Sequence, residues 1–414
     1  MVAIPVLQDK RILVGVTGGI AAYKVCTLAS RLTQAGAHVD VVMTDAANRF
    51  VTPLTFQALT GHPVYADLWG APGEGLPTHI AHVGLAHAAD LFVIAPATAN
   101  TIGKLANGIA DNMLTTLALA ARCPTIVAPA MDVGMWSHPA TQSNIAKLRA
   151  RDVYIAGPAR GRMASGLEGE GRLLEPEDLF GHIRLLLGRT GDLGGRRLVV
   201  TAGPTREMID PVRFLSNPSS GKQGYALAQA ALDRGAAVTL VSGPVGLPTP
   251  VGVDQIDVAS AAEMLTATRS ASAQADALLM AAAVADYRPD AVAAQKIKKG
   301  QTDLALRMVR TDDILSTIAE DKRATGFPRV TVGFAAESQD LVENARVKLT
   351  AKGLDLIVAN DITAPDAGFG AATNRVVLVK RNGDTESLPL MTKDDVAHAV
   401  LDQIVRMLMA PAAS

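Results

Sequence analysis

The chain has 414 residues, 49% of them hydrophobic and 19% charged, with a formal net charge of -1. That length predicts two domains of roughly 200 residues each, and the composition excludes a disordered chain. The small net charge excludes a global field for nucleic acid or an anionic membrane, so anionic ligands must be held by local sites.

The N-terminal MVAIPVLQDKR carries an acidic residue and no apolar core before the first strand, so no signal peptide is expected. RILVGV (11–16) reads as a buried strand, and TGGIAAYK (17–24) as a tight turn opening a helix. CTLASRLTQAG (26–36) is amphipathic and stops on a glycine, and HVDVVMT (38–44) is the next strand. Strand, helix and strand form a βαβ unit, which implies a parallel sheet covered on both faces. Further strands running into loops are predicted in ADLFVIAPATANTIGKLANG (89–108) and CPTIVAPAMDVGMW (123–136). The glycine-rich stretch LGRTGDLGGRR (187–197) predicts a boundary near residue 190.

The plan then repeats. RRLVVTAG (196–203) is a strand and glycine turn, YALAQAALDRGA (225–236) a helix with a glycine stop, and VTLVSG (238–243) a strand. ADALLMAAAVADY (275–287), RVTVGFAAE (329–337) and LDLIVANDI (354–362) are strands running into loops. The expected fold is α/β, with two doubly wound Rossmann-like domains over 1–190 and 191–414 and mainly parallel sheets. Runs such as 91–99 and 277–285 are too short to span a membrane and read as buried strands. The only cysteines are Cys26 and Cys123. They exclude a disulfide scaffold, fit a reducing cytoplasm, and read as structural.

Ligands of open α/β sheets sit at the carboxyl ends of the strands, so the chemistry should lie in those loops. Gly18 and Gly19 fit either a tight turn or an anion site at a helix N-terminus. The spacing is not GxGxxG, and Asp45 follows the second strand rather than ending it, which weighs against a nicotinamide cofactor. In PATANT (96–101), Thr98, Asn100 and Thr101 offer donors to a phosphate or flavin edge, or cap the next helix. His79 and His82 are spaced like a metal pair, but no third ligand follows nearby. NPSSGKQG (217–224) reads as a phosphate cradle without Walker A spacing. Asp286 falls just past a strand end. Lys296 and Lys298 share one side of an extended segment, and Lys348 and Lys352 share a helix face.

His82 with LAHAAD, PATANT and PAMDVGMW (129–136) together resemble the homo-oligomeric, flavin-containing cysteine decarboxylases. The resemblance implies FMN held near Gly18, Gly19, Thr44, Pro96, Thr98, Asn100, Thr101, Met131 and Asp132, in sites between subunits. It implies His82 as an essential active-site residue, and a substrate carboxylate gripped by the Met131–Asp132 segment. Two positions depart from that pattern. Asp132 stands where the family has asparagine, and a carboxylate there repels the substrate's carboxylate. Ser165, in the flap GPARGRMASGLEGEGRLLEP (157–176), stands where the coenzyme A branch has a proton-donating cysteine, and a hydroxyl is a far weaker acid than a thiol.

The second half resembles the phosphopantothenate–cysteine ligases, which activate a carboxylate as an acyl-nucleotidyl intermediate that the cysteine amine then attacks. The resemblance implies Asn217 at the acyl intermediate and Lys296 at the transferring phosphoryl charge. It implies CTP, with Mg2+, near Met280, Ala281, Ala282, Asp286, Thr311, Asp312, Asp313, Ile314, Phe334, Lys348 and Lys352. Pro218 and the Thr311–Asp312 pair depart from the common pattern. Both sets, in this order and over nearly all of the chain, resemble the bifunctional decarboxylase–ligase family of coenzyme A biosynthesis. Its small-molecule substrates are 4'-phosphopantothenate, cysteine and CTP, and its assemblies use trimeric decarboxylase and dimeric ligase units. Two other readings stay open from the residues alone. One is a nicotinamide-dependent oxidoreductase, supported by the glycine turns. The other is a flavin-binding protein without decarboxylase chemistry, prompted by Asp132 and Ser165.

Overall fold

In β1 (Arg11–Val16) every residue after the first is buried, as a strand covered on both faces must be. The computed structural model describes residues 3–67, 78–299, 304–337, 340–361 and 371–409. The chain divides into two compact units, Met1–Leu187 and Gly188–Ser414.

The first unit adds β2 (His38–Met43), β3 (Val64–Tyr65), β4 (Leu91–Ala97), β5 (Thr125–Pro129) and β6 (Tyr154–Ile155). They form one parallel sheet in the order β3-β2-β1-β4-β5-β6. One face is covered by Val25, Leu28 and Leu32 of the helix Ala22–Gln34 and by Phe180 and Ile183 of the helix Pro176–Gly188. The other is covered by Ile102, Leu114, Leu117 and Ile145. The strand order reverses between β1 and β4, which opens a crevice at their carboxyl ends. The first helix begins at Ala22, four residues before the sequence reading placed it, because the turn after β1 is short. A hairpin of β7 (Ala159–Arg162) and β8 (Glu168–Arg172) stands apart from the sheet.

The second unit contains β9 (Arg197–Ala202), β10 (Arg206–Met208), β11 (Phe214–Ser216), β12 (Ala237–Ser242), β13 (Asp254–Asp257), β14 (Ala277–Met280), β15 (Tyr287–Pro289), β16 (Met308–Arg310), β17 (Val330–Glu337), β18 (Leu356–Asp361), β19 (Thr373–Asn374), β20 (Val376–Lys380), β21 (Thr385–Ser387) and β22 (Met391–Thr392). Its main sheet has the order β13-β12-β9-β14-β17-β18-β20-β21. It is parallel as far as β18, and β20 and β21 then run antiparallel. Both sheets are the doubly wound α/β arrangement that the alternation of strand and helix implies, with this antiparallel edge the addition. The order reverses between β9 and β14. Gly224 lets the helix Lys222–Asp233 lie directly on β9, since a Cβ there would fall 2.5 Å from Ala202 Cβ. Among the described residues no helix is long and apolar enough to cross a membrane.

Candidate functional sites

Each unit has a cavity at its own switch point. In the first unit Thr17, buried at the end of β1, ties the two loops of the crevice together. Its Oγ1 donates to the Pro96 carbonyl at 2.5 Å and accepts from the Thr98 amide at 3.2 Å. Thr98 caps the helix Ala99–Asn107, accepting from the Thr101 amide. Gly18 packs against Ala46, where a Cβ would come within 2.4 Å of the neighbouring Cβ. A cavity of about 590 Å³ opens here, and Gly18, Gly19, Thr98, Met131, Asp132 and Ser165 all line it.

The hairpin forms one wall. It docks through glycine, because a Cβ on Gly171 would lie 2.3 Å from the Met131 carbonyl and one on Gly169 2.6 Å from Val133. The Met131 amide donates to the Gly171 carbonyl at 2.9 Å, and Trp136 Nε1 donates to Glu170 at 3.3 Å. At the hairpin tip Ser165 Oγ donates to Asp132 Oδ2 at 2.6 Å. The other carboxylate oxygen caps the short helix Val133–Ser137 by accepting from the Gly134 amide. The Ser165 hydroxyl first, then the Gly134 amide, hold the Asp132 carboxyl below its ordinary value.

Not every expected residue reaches this cavity. Pro96 is buried within β4, Asn100 is exposed, and Thr101 is buried in the first turn of the helix Ala99–Asn107. None of the three is on the cavity wall. The Thr44 hydroxyl is buried with no hydrogen-bond partner. His82 falls on the helix Thr78–Ala88, but its side chain, like that of His79, lies outside the described residues. The structure adds cations that sequence reasoning passed over. Lys24 is only 8% exposed and pairs with Glu175 at 2.8 Å, and Arg172 pairs with the same carboxylate at 2.6 Å. Lys24, above all, holds Glu175 below its usual range. Lys24, Arg162 and Arg172 line the cavity. Lys24 ends the TGGIAAYK turn and Arg172 follows the GEG of the flap, so both were within quoted motifs.

In the second unit a cavity of about 470 Å³ is lined by the Asn217–Gly224 turn together with Ala281, Ala282, Asp286, Phe334 and Lys348. An adjoining cavity of about 620 Å³ is lined by Met280, Thr311, Asp312, Asp313, Ile314 and Lys352, and shares Ala282, Asp286 and Phe334 with the first. The β14 strand stops at Met280 because its next residues are stitched to β9 and its loop. Thr201 Oγ1 accepts from the Ala282 amide at 3.1 Å, and Thr205 Oγ1 from the Ala285 amide at 3.0 Å. Thr311 Oγ1 donates to the Ala285 carbonyl at 2.6 Å. The Asn217 amide group donates to the carbonyls of Ala283 and Val284 at 3.3 and 3.1 Å.

Asp313 and Lys352 form an ion pair with each other, and Asp313 caps the helix Ile314–Thr325. Burial pushes the Asp313 carboxyl up, but Lys352 and the Ser316 amide together bring it below its ordinary value. Lys296 is exposed and lines neither cavity. Its segment is held from beneath: fully buried Asp210 accepts from the Ile297 amide at 3.1 Å and binds the Arg213 guanidinium, which donates to the Ile297 carbonyl. Arg213, above all, holds the Asp210 carboxyl far below the carboxylate range. Among the described residues no group of three or more histidines, cysteines or carboxylates is placed to hold a metal.

Residues 6–188 match the Flavoprotein family, and residues 193–408 match the DNA/pantothenate metabolism flavoprotein C-terminal domain. The chain is 48% identical over 404 residues to the coenzyme A biosynthesis bifunctional protein CoaBC of Bacillus subtilis (strain 168), covering 97% of this chain and 98% of that one. It is 47% identical over 400 residues to the protein of that name from Vibrio cholerae serotype O1 (strain ATCC 39315 / El Tor Inaba N16961), covering 96% and 98%. A crystal structure of the C-terminal domain of a coenzyme A biosynthesis bifunctional protein CoaBC has 42% identity, covers 53% of this chain and 98% of its own, and superposes with a TM-score of 0.45. With this identity sustained from end to end, the chain belongs to the family of coenzyme A biosynthesis bifunctional proteins.

Proposed function

We propose that the two switch-point cavities are the two active sites of this bifunctional enzyme, the first an FMN-dependent decarboxylase and the second a CTP-dependent ligase. The chain is an enzyme of coenzyme A biosynthesis, a decarboxylase and a ligase in one polypeptide. In this reading the Gly188–Ser414 unit joins 4'-phosphopantothenate to cysteine. The Met1–Leu187 unit decarboxylates the product to 4'-phosphopantetheine. The observation that carries the assignment is the contrast between the cavities. The first is walled by a glycine turn and the methionines Met131, Met135 and Met163, and the second by a serine–glycine turn and lysines.

The first site fits a flavin. Gly19, where a Cβ would meet nothing closer than 3.9 Å, leaves its backbone open to a ligand, Thr98 lines the wall beside it, and Lys24 supplies positive charge at the start of a helix. FMN, when bound, would supply the two-electron oxidation of a thiol that lets the neighbouring carboxylate leave as carbon dioxide, and would return the two electrons to the unsaturated thiol that remains. The protein orients the substrate. Asp132 is engaged by Ser165 and Gly134, and Lys24 and Arg172 by Glu175, which leaves Arg162 as the lining cation that meets the substrate's carboxylate. Ser165 is a weak acid and its proton is already donated to Asp132, so protonation of the product falls to another group, with His82 the candidate.

In the second site Asn217 offers its amide oxygen to the acyl group while its NH2 is fixed by two carbonyls. Phe334, Lys348 and the Ala281–Ala282 backbone line the cavity that takes the nucleotide. Lys296 would close over the transferring phosphoryl group from the segment that Asp210 holds. Mg2+ would enter on the nucleotide phosphates, with Asp286 and Asp312 the lining carboxylates that would hold it, since Asp313 is paired with Lys352.

A coupled assay with 4'-phosphopantothenate, cysteine and CTP tests both halves, resolving ligated from decarboxylated product. The expected protein is yellow, releases FMN on denaturation, and forms ligated product with release of pyrophosphate. A colourless protein would refute the first assignment, and ligation indifferent to CTP the second.

A further inference from the structure

Lys393 is 7% exposed and lines the same cavity as the Asn217–Gly224 turn. Its Nζ donates to Asn374 Oδ1 at 2.6 Å and to the Thr373 carbonyl at 3.4 Å. Both acceptors are neutral. An ammonium carries three donors, so a third hydrogen and the full charge remain without an acceptor or counter-ion among the described residues. Burying a cation in this way is costly unless an anion comes to it. The side chain is held in place: Asn374 Nδ2 donates to Gln223 Oε1 at 2.8 Å, and Gln223 Nε2 donates to the Lys393 carbonyl at 3.1 Å.

Its position on the helix is also unfavourable. Lys393 is the first residue of the helix Lys393–Met409, where the backbone dipole favours anions and the next two residues are Asp394 and Asp395. Lys222 is the first residue of the helix Lys222–Asp233 and lines the same cavity. Two helix N-termini, each carrying a lysine, thus meet at one cavity whose only lining carboxylate among the described residues is Asp286. Burial first, and the nearby Lys222 cation second, bring the Lys393 ammonium down to about 8. An arrangement that strains a protein in this way is expected where a ligand relieves the strain.

We infer that Lys393, with Lys222 and the amides of the Ser219–Gly221 turn, is an anion subsite that binds a phosphate group of a ligase substrate. The phosphate belongs either to the phosphomonoester of 4'-phosphopantothenate or to the nucleotide. The inference rests on the ligase reading for the identity of the phosphate, but not for the existence of the subsite.

The test is calorimetric titration of the full chain with inorganic pyrophosphate, followed by ligase kinetics. Lys393→Met should weaken pyrophosphate roughly ten- to hundred-fold, the loss of one charge-assisted contact. Lys393→Arg should recover most of it. Lys222→Met, at an exposed position, should also weaken binding and covers the case in which Lys393→Met does not fold. In the ligase assay, the substrate whose KM rises in Lys393→Met and Lys222→Met, and falls back in Lys393→Arg, identifies the phosphate. Wild-type affinity for pyrophosphate in Lys393→Met, or in Lys222→Met if the first is unfolded, overturns the subsite. So does a wild-type chain that binds no pyrophosphate. Pyrophosphate binding that depends on Lys393, in a protein without CTP-dependent ligation, would uphold the subsite and sink the ligase reading alone.

Discussion

Ser165 Oγ lies 2.6 Å from Asp132 Oδ2, so the two residues that depart from the family's decarboxylase pattern are hydrogen-bonded to each other. Asparagine could accept the same bond without charge; aspartate accepts it as an anion, and the bond favours the ionised form. Ser165→Ala should therefore let the Asp132 carboxyl rise toward the ordinary value of ~3.9. The carboxyl is depressed in the folded protein, so the stabilisation from this contact is present above the unfolded value and is lost as pH falls through the folded one. The hairpin tip should stay latched at neutral pH and release only in acid below about 4. Carboxyl-carbon NMR titration of wild type and Ser165→Ala reads both effects, and an identical midpoint would remove the latch.

Gly171 has a φ of 151°, and a Cβ there would meet the Met131 carbonyl at 2.3 Å. Gly171→Ala should push the hairpin off the Met131–Val133 segment at a cost of about 1–3 kcal/mol. Urea denaturation should show the loss, and bound flavin should dissociate more readily in a fluorescence assay. Retained stability and flavin affinity would show that the hairpin does not wall the site.

Asp210 accepts from the amides of Val212, Arg213 and Ile297 and from the Arg213 side chain. Removing it in Asp210→Ala should free the segment that carries Lys296, the residue before Ile297. A displaced catalytic group can lower turnover on the order of a hundred-fold. Ligation should fall by that order, while decarboxylation of supplied 4'-phosphopantothenoylcysteine is unchanged. Arg213 depresses the Asp210 carboxyl, so this clasp too is present above the unfolded value of ~3.9 and is lost only as pH falls through the lower folded value.

Asn217→Asp would place a carboxylate against the Ala283 and Val284 carbonyls that its amide now serves. The side chain would turn away or draw a proton. Ligated product should disappear while the yellow colour remains, and product formation at the wild-type rate would refute the role of Asn217.

The alternation of apolar strands and glycine-stopped helices made the two sheets legible, because a parallel strand must be buried on both faces and therefore reads as an apolar run. The antiparallel edge of β20 and β21 was not legible, since its short strands follow one another without the helix that marks a crossover. The cavity-lining turns at Gly18 and Asn217 were readable from local glycine and serine chemistry. The partnership of Ser165 with Asp132 was not, although both residues stood out singly, because it depends on Gly169 and Gly171 bringing the hairpin close. Lys393 meets Gln223 from 170 residues away. Its one local signal is a lysine in the first turn of a helix, where the dipole disfavours it. Asn100 and Thr101 show the converse: a motif can be quoted whole while the fold turns part of it to solvent or into the helix.

With serine at the hairpin tip, no cysteine lines the first cavity. Cys26 and Cys123 are partly buried, and burial pushes both thiols above their ordinary value. Thiolate is the form that electrophiles and peroxide attack. Alkylating reagents aimed at a flap thiol should therefore find no target in this site. Oxidants would instead meet Met131, Met135 and Met163, and methionine sulfoxide is a lesion that cells can reverse.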